Sequence, residues 1–264
     1  AAATQGRYRI SVVGFTAHRA TYDNPLQLDG KGDEVFLSTS VKIVDAAGQS
    51  TTGGLDASLR SAVYGDTSFK EGEGRRRAGN LSSQGGIGNG NSFPAQPWSG
   101  VPDTADPMAI PMVLWSGTLN QGGNAVIVTP TLWEYDGSGF AGAFQSWVAW
   151  SGRTLDTLSG VKLVEMSGFE SPVQLDFGSM GAGLALDFQE SIIGSDGDRP
   201  IGMQIQGGRG VFAPKSIVLT YAAAEGLLAN NIGSLPPGVY PVQYQDDPKW
   251  WGEYTLYLKI ERLP

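Results

Sequence analysis

The sequence predicts an all-β protein: an antiparallel two-sheet β-sandwich with long loop insertions and little helix. Three observations carry that prediction. Short segments rich in Val, Ile, Leu, Thr, Tyr and Phe alternate apolar and polar residues, the period of a strand. They are punctuated by 38 glycines and 15 prolines, with Asn and Asp nearby, which is turn chemistry. No internal repeat recurs at a fixed spacing, which argues against a solenoid or a propeller. The 264 residues suffice for one sizeable core, so residues 1–264 are read as a single domain.

Taken in order, residues 7–15 (RYRISVVGF) alternate and form the first strand. Residues 34–44 (EVFLSTSVKIV) form the second. Residues 112–119 and 125–135 are expected to pair, because Asn120-Gln-Gly-Gly-Asn124 between them has hairpin chemistry. Residues 216–229 begin as a strand (SIVLTY) and end as a helical turn (AAAEGLLA). Residues 238–242 and 253–262 are strands; in the latter Tyr254, Leu256, Leu258 and Ile260 share one face.

Two stretches interrupt this rhythm. Residues 66–107 are rich in Gly, Ser, Asn, Pro and Arg, and far exceed an ordinary connection. Such a segment hides little apolar area for the entropy it loses. It is therefore the expected contact for a protein partner, or for self-assembly with further copies of the chain. Its GGIGNGNSFP lacks the Lys-Ser/Thr of a phosphate loop, so its glycines point to an irregular wrap over a neighbouring surface. The second interruption is residues 138–195. There Phe144, Trp147, Val148 and Ser151 fall at helical spacing and predict a short amphipathic helix.

Composition removes several function classes. There is no cysteine, hence no disulfide, thiol nucleophile or zinc–thiolate centre. The formal net charge is −8, which disfavours nucleic acid. Arg75-Arg76-Arg77 is the one basic cluster and is expected to be solvated. No apolar run approaches the roughly 18–20 residues of a membrane-spanning helix. His18 is the single histidine and has no nucleophile motif around it, so it is expected to be a surface residue. The acidic, cysteine-free composition is read as that of an extracellular or cell-surface protein.

The chemistry-bearing pattern is acidic. Asp29-Gly-Lys-Gly-Asp33 runs into the second strand, and LWEYDGSG places Glu134 and Asp136 two apart at a strand end, on one side. Asp198 follows later, in GSDGDRPIGM. An ordinary solvated turn also favours Asp and Gly. The order strand, Asp-x-x-x-Asp, strand resembles the first calcium loop of a C2 domain, with spacing one residue shorter and Glu34 where that family has proline. Glu134-x-Asp136 is similar to its second acidic loop. The segment around Asp198 is similar to its third, with 138–195 as an insertion. The resemblance implies a C2-like or jelly-roll-like sandwich binding calcium through Asp29, Asp33, Glu134, Asp136 and Asp198. Calcium takes about six to eight oxygen ligands, so several loops must converge at one pole.

The expected function is a non-catalytic, calcium-dependent binding or structural module. The alternatives are a carbohydrate-binding protein or a carboxylate-pair glycoside hydrolase, using Glu134 and Asp136 or Glu165 and Glu170, and a calcium-dependent binder of a membrane surface. If Trp250-Trp251, beside Asp246-Asp247, lies in a strand, one ring turns inward and one outward, the latter able to stack on a sugar or enter a membrane interface; the alternative is edge packing against a long loop. Asp246-Asp247 before Pro248 reads as a turn, which could also reach the same end as the acidic loops.

Overall fold

The computed structural model describes residues 4–21, 32–49, 51, 57–68, 74–135, 168–176, 184–186 and 198–264. The expected helix within 144–158 and most of the 138–195 insertion lie outside the described residues, as do Asp29, Asp136 and Glu165.

Two large sheets build the molecule. The first runs β15 (Val239–Gln245), β16 (Glu253–Leu263), β1 (Gln5–Arg19), with β7 (Met112–Asn120) and β6 (Ser92–Phe93) both on the far side of β1. The second runs β5 (Arg75–Arg77), β4 (Val63–Gly65), β2 (Val35–Asp45), β8 (Asn124–Glu134), β14 (Lys215–Thr220), β9 (Val173–Asp176). In that sheet β3 (Ala57–Arg60) also pairs with β2, and β11 (Arg199–Pro200) with β8. A small third sheet joins β10 (Leu184–Leu186), β13 (Arg209–Phe212) and β12 (Met203–Gln206). Pairings are antiparallel apart from the short β4/β5 contact. The all-β sandwich architecture is as expected.

The two large sheets share one apolar core. Tyr8, Ile10, Val12, Leu256 and Leu258 of the first sheet and Val35, Leu37, Val126, Val128 and Trp133 of the second belong to it. In β16 the predicted face (Tyr254, Leu256, Leu258, Ile260) is buried. In β8 every residue after Asn124 is buried, and β2 is nearly as enclosed. Ser38, Ser40 and Lys42 therefore lie inside, although alternation alone would place them on an open face. The described helix, α1 (Tyr221–Ala229), follows β14 directly. The Thr220 hydroxyl caps it by accepting from the Ala223 N–H at 3.2 Å, and Ala224 and Leu227 seat it in the core.

The expected hairpin is corrected. β7 pairs with β1 and β8 pairs with β2, so the loop 120–124 carries the chain from one sheet to the other. A hairpin and such an arch use the same turn residues: Gly122 takes φ 69°, and Asn124 side-chain atoms bind Asn120 N at 2.8 Å and Thr118 O at 2.9 Å. The deciding factor is which strand edges are open with a matching apolar face, and that is not local information.

The described part of 66–107 wraps its own chain. Asp33 and Ile87 exchange backbone hydrogen bonds at 2.9 and 3.2 Å, and Ala17 pairs with Asn91 and Gly90. Arg75 to Arg77 form the short strand β5, in which Arg76 and Arg77 are exposed as expected and Arg75 is half-buried. Arg76 holds Asp106 at 2.7 Å, and Arg75 lies over the Tyr135 ring with Glu34 at 3.7 Å.

Candidate functional site

One pole of the sandwich holds a buried polar cluster to which both large sheets contribute. From the first sheet come Thr21, just past β1, Asp246, just past β15, and Tyr254 of β16. From the second come Asp33, just before β2, Glu134 ending β8, and Arg199 opening β11. The relative exposures are 2% for Asp33, 7% for Glu134, 3% for Asp246 and 2% for Arg199. Charged residues at such depth are retained only when paired.

The pairing is dense. Asp33 Oδ2 accepts from Thr21 N at 2.7 Å and from the Tyr254 hydroxyl at 2.5 Å. The Thr21 hydroxyl lies 2.9 Å from Asp33 Oδ1 and also meets Glu134 Oε1. Arg199 donates from Nε to Glu134 Oε2 at 2.8 Å and from Nη1 to Asp246 Oδ2 at 3.0 Å. Asp246 Oδ1 accepts the Gly202 and Met203 N–H groups at 2.7 and 2.9 Å, and Oδ2 accepts Gly252 N–H at 3.1 Å. Gly252 must lack a side chain, since a Cβ there would stand 2.5 Å from Asp246 Oδ2.

A proton count sharpens this picture. A threonine hydroxyl has one hydrogen. It can donate to Glu134 or to Asp33, and the other contact then needs a proton on the carboxyl side. Burial, followed by the charge of Glu134, pushes the Asp33 pKa up to about 7, against the opposing bonds from Tyr254 and Thr21. The raised pKa favours a proton on Asp33 below neutral pH, and in that form Oδ1 can donate to the Thr21 hydroxyl while Thr21 donates to the Glu134 carboxylate. Burial raises the Tyr254 pKa, and Asp33 adds to it, so that phenol stays a donor. Burial alone would lower the Arg199 pKa, but Asp246 and Glu134 outweigh it and hold the guanidinium charged.

Of the five expected metal ligands, Asp33 and Glu134 do converge, bridged by Thr21. Asp198 is half-buried at the start of β11. Asp29 and Asp136 lie outside the described residues. All four oxygens of Asp33 and Glu134 already have protein partners, and the cation between Glu134 and Asp246 is a guanidinium. Among the described residues no group of three or more His, Asp or Glu side chains is placed to hold a metal. This donor set fits Arg199 rather than a calcium ion with its six to eight oxygens.

Sequence alone does not single out Arg199, Thr21 or Tyr254 as site residues, whereas Asp246 belongs to a turn expected to be able to reach this pole. An Asp-Asp pair ahead of Pro248 can bury one carboxylate as readily as it can make a solvated turn. His18 is exposed as expected, with Nε2 2.8 Å from the Thr255 hydroxyl.

Above the cluster sits the turn from Asp247 to Gly252. Trp250 packs half-buried against the core, while Trp251 is 46% exposed. Trp251 adopts φ 70°, and its N–H donates to Asp247 O at 3.1 Å. The Arg19 guanidinium lies 5.0 Å from the Trp251 ring centre and pairs with Glu253 at 3.1 Å. Gln243 donates to Glu253 at 3.0 Å. The pair lies in a turn between β15 and β16 rather than in a strand, so strand alternation is not what separates the half-buried Trp250 from the exposed Trp251. Comparison with protein-family models, with characterised proteins and with solved structures gives no match for this chain.

Proposed function

We propose that the protein is a non-catalytic binding module, in which the buried cluster is a rigid cross-link between the sheets and recognition takes place on the turn above it. The observation that carries this reading is saturation. Every carboxylate oxygen of Asp33, Glu134 and Asp246 has a hydrogen-bond or ion-pair partner within the protein. A hydrolytic carboxylate pair needs a substrate between its members, and in the inverting geometry a water as well. Asp33 and Glu134 instead have Thr21 between them, at 2 and 7% exposure. The cross-link also does without calcium the work that calcium was expected to do, namely joining loops at one pole.

The test is a pair of measurements on the whole chain. Melting is followed with excess calcium and with EGTA, and reducing-sugar release is followed on a panel of soluble polysaccharides. The expected outcome is a chelator-independent melting temperature and no turnover. Calcium far above its Kd would stabilise a calcium module by about 3–4 kcal/mol. A rise of several degrees, lost in Asp33→Asn, would therefore restore the calcium reading. Turnover abolished in Glu134→Gln would make the protein a hydrolase.

A further inference from the structure

We propose that the Trp251 turn is a stacking platform for a neutral glycan; this rests on the binding-module reading and adds the ligand class.

Trp251 stands out for its backbone. Among the described residues it is the one non-glycine residue with positive φ. That region is disfavoured for side chains, and for a bulky aromatic it is an outlier. Glycine or asparagine would occupy the position at lower cost. The large ring held there nevertheless keeps nearly half of its surface, 46%, exposed. Strain of this kind collects where a side chain must be presented to something.

The presentation is rigid. The Trp251 N–H is tied to Asp247 O, and Asp247 N–H to Met203 O at 2.7 Å. The next residue, Gly252, accepts from Asp246 N–H at 2.7 Å and donates to the Asp246 carboxylate. Asp246 is itself held by Arg199. The ring is thereby fixed to the buried cross-link, and a ligand need not supply the entropy of ordering it.

The surroundings select the ligand. Arg19 covers one face of the indole, so a single flat surface is offered. Arg19, Glu253 and Gln243 form a connected rim whose formal charges cancel. Such a rim offers hydrogen bonds to hydroxyls without attracting a net charge. An indole face suits the C–H face of a sugar ring, since it combines apolar area with a polar edge. An acyl chain would need contiguous apolar surface, and the neighbouring Gln243, Gln245 and Lys249 are exposed and polar.

The experiment titrates the full chain with cellohexaose, chitohexaose, laminarihexaose and mannohexaose, reading tryptophan fluorescence and calorimetric heat. Vesicles of anionic phospholipid and an acidic oligosaccharide run in parallel, as does reducing-sugar release from each hexaose. At least one neutral hexaose should bind, and Trp251→Ala should weaken it roughly tenfold or more, the scale of one lost aromatic stack. Trp251→Gly should lose binding equally but melt at a higher temperature than the native chain, because it removes the backbone strain. That opposite pair of effects is not expected of a ring that only packs. Absence of binding by all four hexaoses, equal binding by Trp251→Ala, or binding of vesicles alone would overturn the glycan assignment and leave the non-catalytic reading standing. Cleavage of a bound hexaose that stops in Glu134→Gln would overturn the non-catalytic reading and leave the platform standing.

Discussion

At the scale of a residue, Asp33 decides how the buried pole responds to pH. Its folded pKa, near 7, lies above the value of about 4 for an unfolded aspartate. Between those values the native state holds a proton that the unfolded state has released. Stability contributed by this group is therefore fully present below about pH 4, falls as pH rises through that window, and is gone above about pH 7. The swing is on the order of a few kcal/mol. Asp33→Asn keeps an acceptor for Thr21 N–H and Tyr254 and offers a permanent amide donor to the Thr21 hydroxyl. Urea melts at pH 5 and pH 8 should show the native chain losing stability at the higher pH. The variant should show a flatter profile and equal or exceed the native chain at pH 8. Parallel profiles for the two proteins would mean that Asp33 is ionised across the range. That Asp33 and Glu134 would meet is an expectation drawn from the resemblance to paired acidic loops, with Asp33 closing the turn before β2 and Glu134 ending β8. Their cation was not legible in the sequence. Arg199 opens a two-residue strand too short for any periodic signal, and Asp246 lies in a stretch whose composition also fits a solvated turn.

At the scale of an element, β1 shows where local pattern ends and packing begins. Its strand character was plain from alternation, as was that of β2, β7, β8, β14, β15 and β16. Less visible was that the glycine-rich segment after residue 85 would lie across its second half. Gly14 is the contact point. A Cβ there would stand 2.5 Å from Phe93 O and 2.6 Å from Pro97 O, both backbone atoms that cannot swing aside. The register with β16 also shifts between Val12 and Gly14. Gly14→Ala should cost about 1–3 kcal/mol through overpacking. Amide exchange should locate the loss in residues 87–97 first, with β1 and β16 still protected. Uniform loss across the first sheet would place the contact at the strand itself. The same limit explains the 120–124 arch: its turn residues were readable, but the strands it serves are chosen by edges far away in sequence.

At the scale of the molecule, the sheets are connected by the core and by one charged cross-link, and the two contribute differently. The chain ends meet in β1 and β16, where Arg7 pairs with Leu263, so much of the first sheet forms through contacts between remote parts of the sequence. The core supplies the bulk of the driving force but is not directional. The Arg199 pairs and the Thr21 bridge fix how the two sheets meet at the pole that carries Trp251. Removing the guanidinium alone should be severe, because it leaves Glu134 and Asp246 buried and short of a counter-charge. Arg199→Met is expected to lose about 3–5 kcal/mol. The two carboxylates are not equivalent afterwards. Asp246 keeps three backbone N–H donors, which support its charge, whereas Glu134 keeps the Thr21 hydroxyl. Neutralising Glu134 should therefore recover more than neutralising Asp246. Arg199→Met/Glu134→Gln is expected to regain about half of the loss or more in urea melts, and Arg199→Met/Asp246→Asn much less. If both double variants recover equally, or if Arg199→Met is nearly neutral, the apolar core alone sets the arrangement of the sheets and the charged cross-link is a passenger.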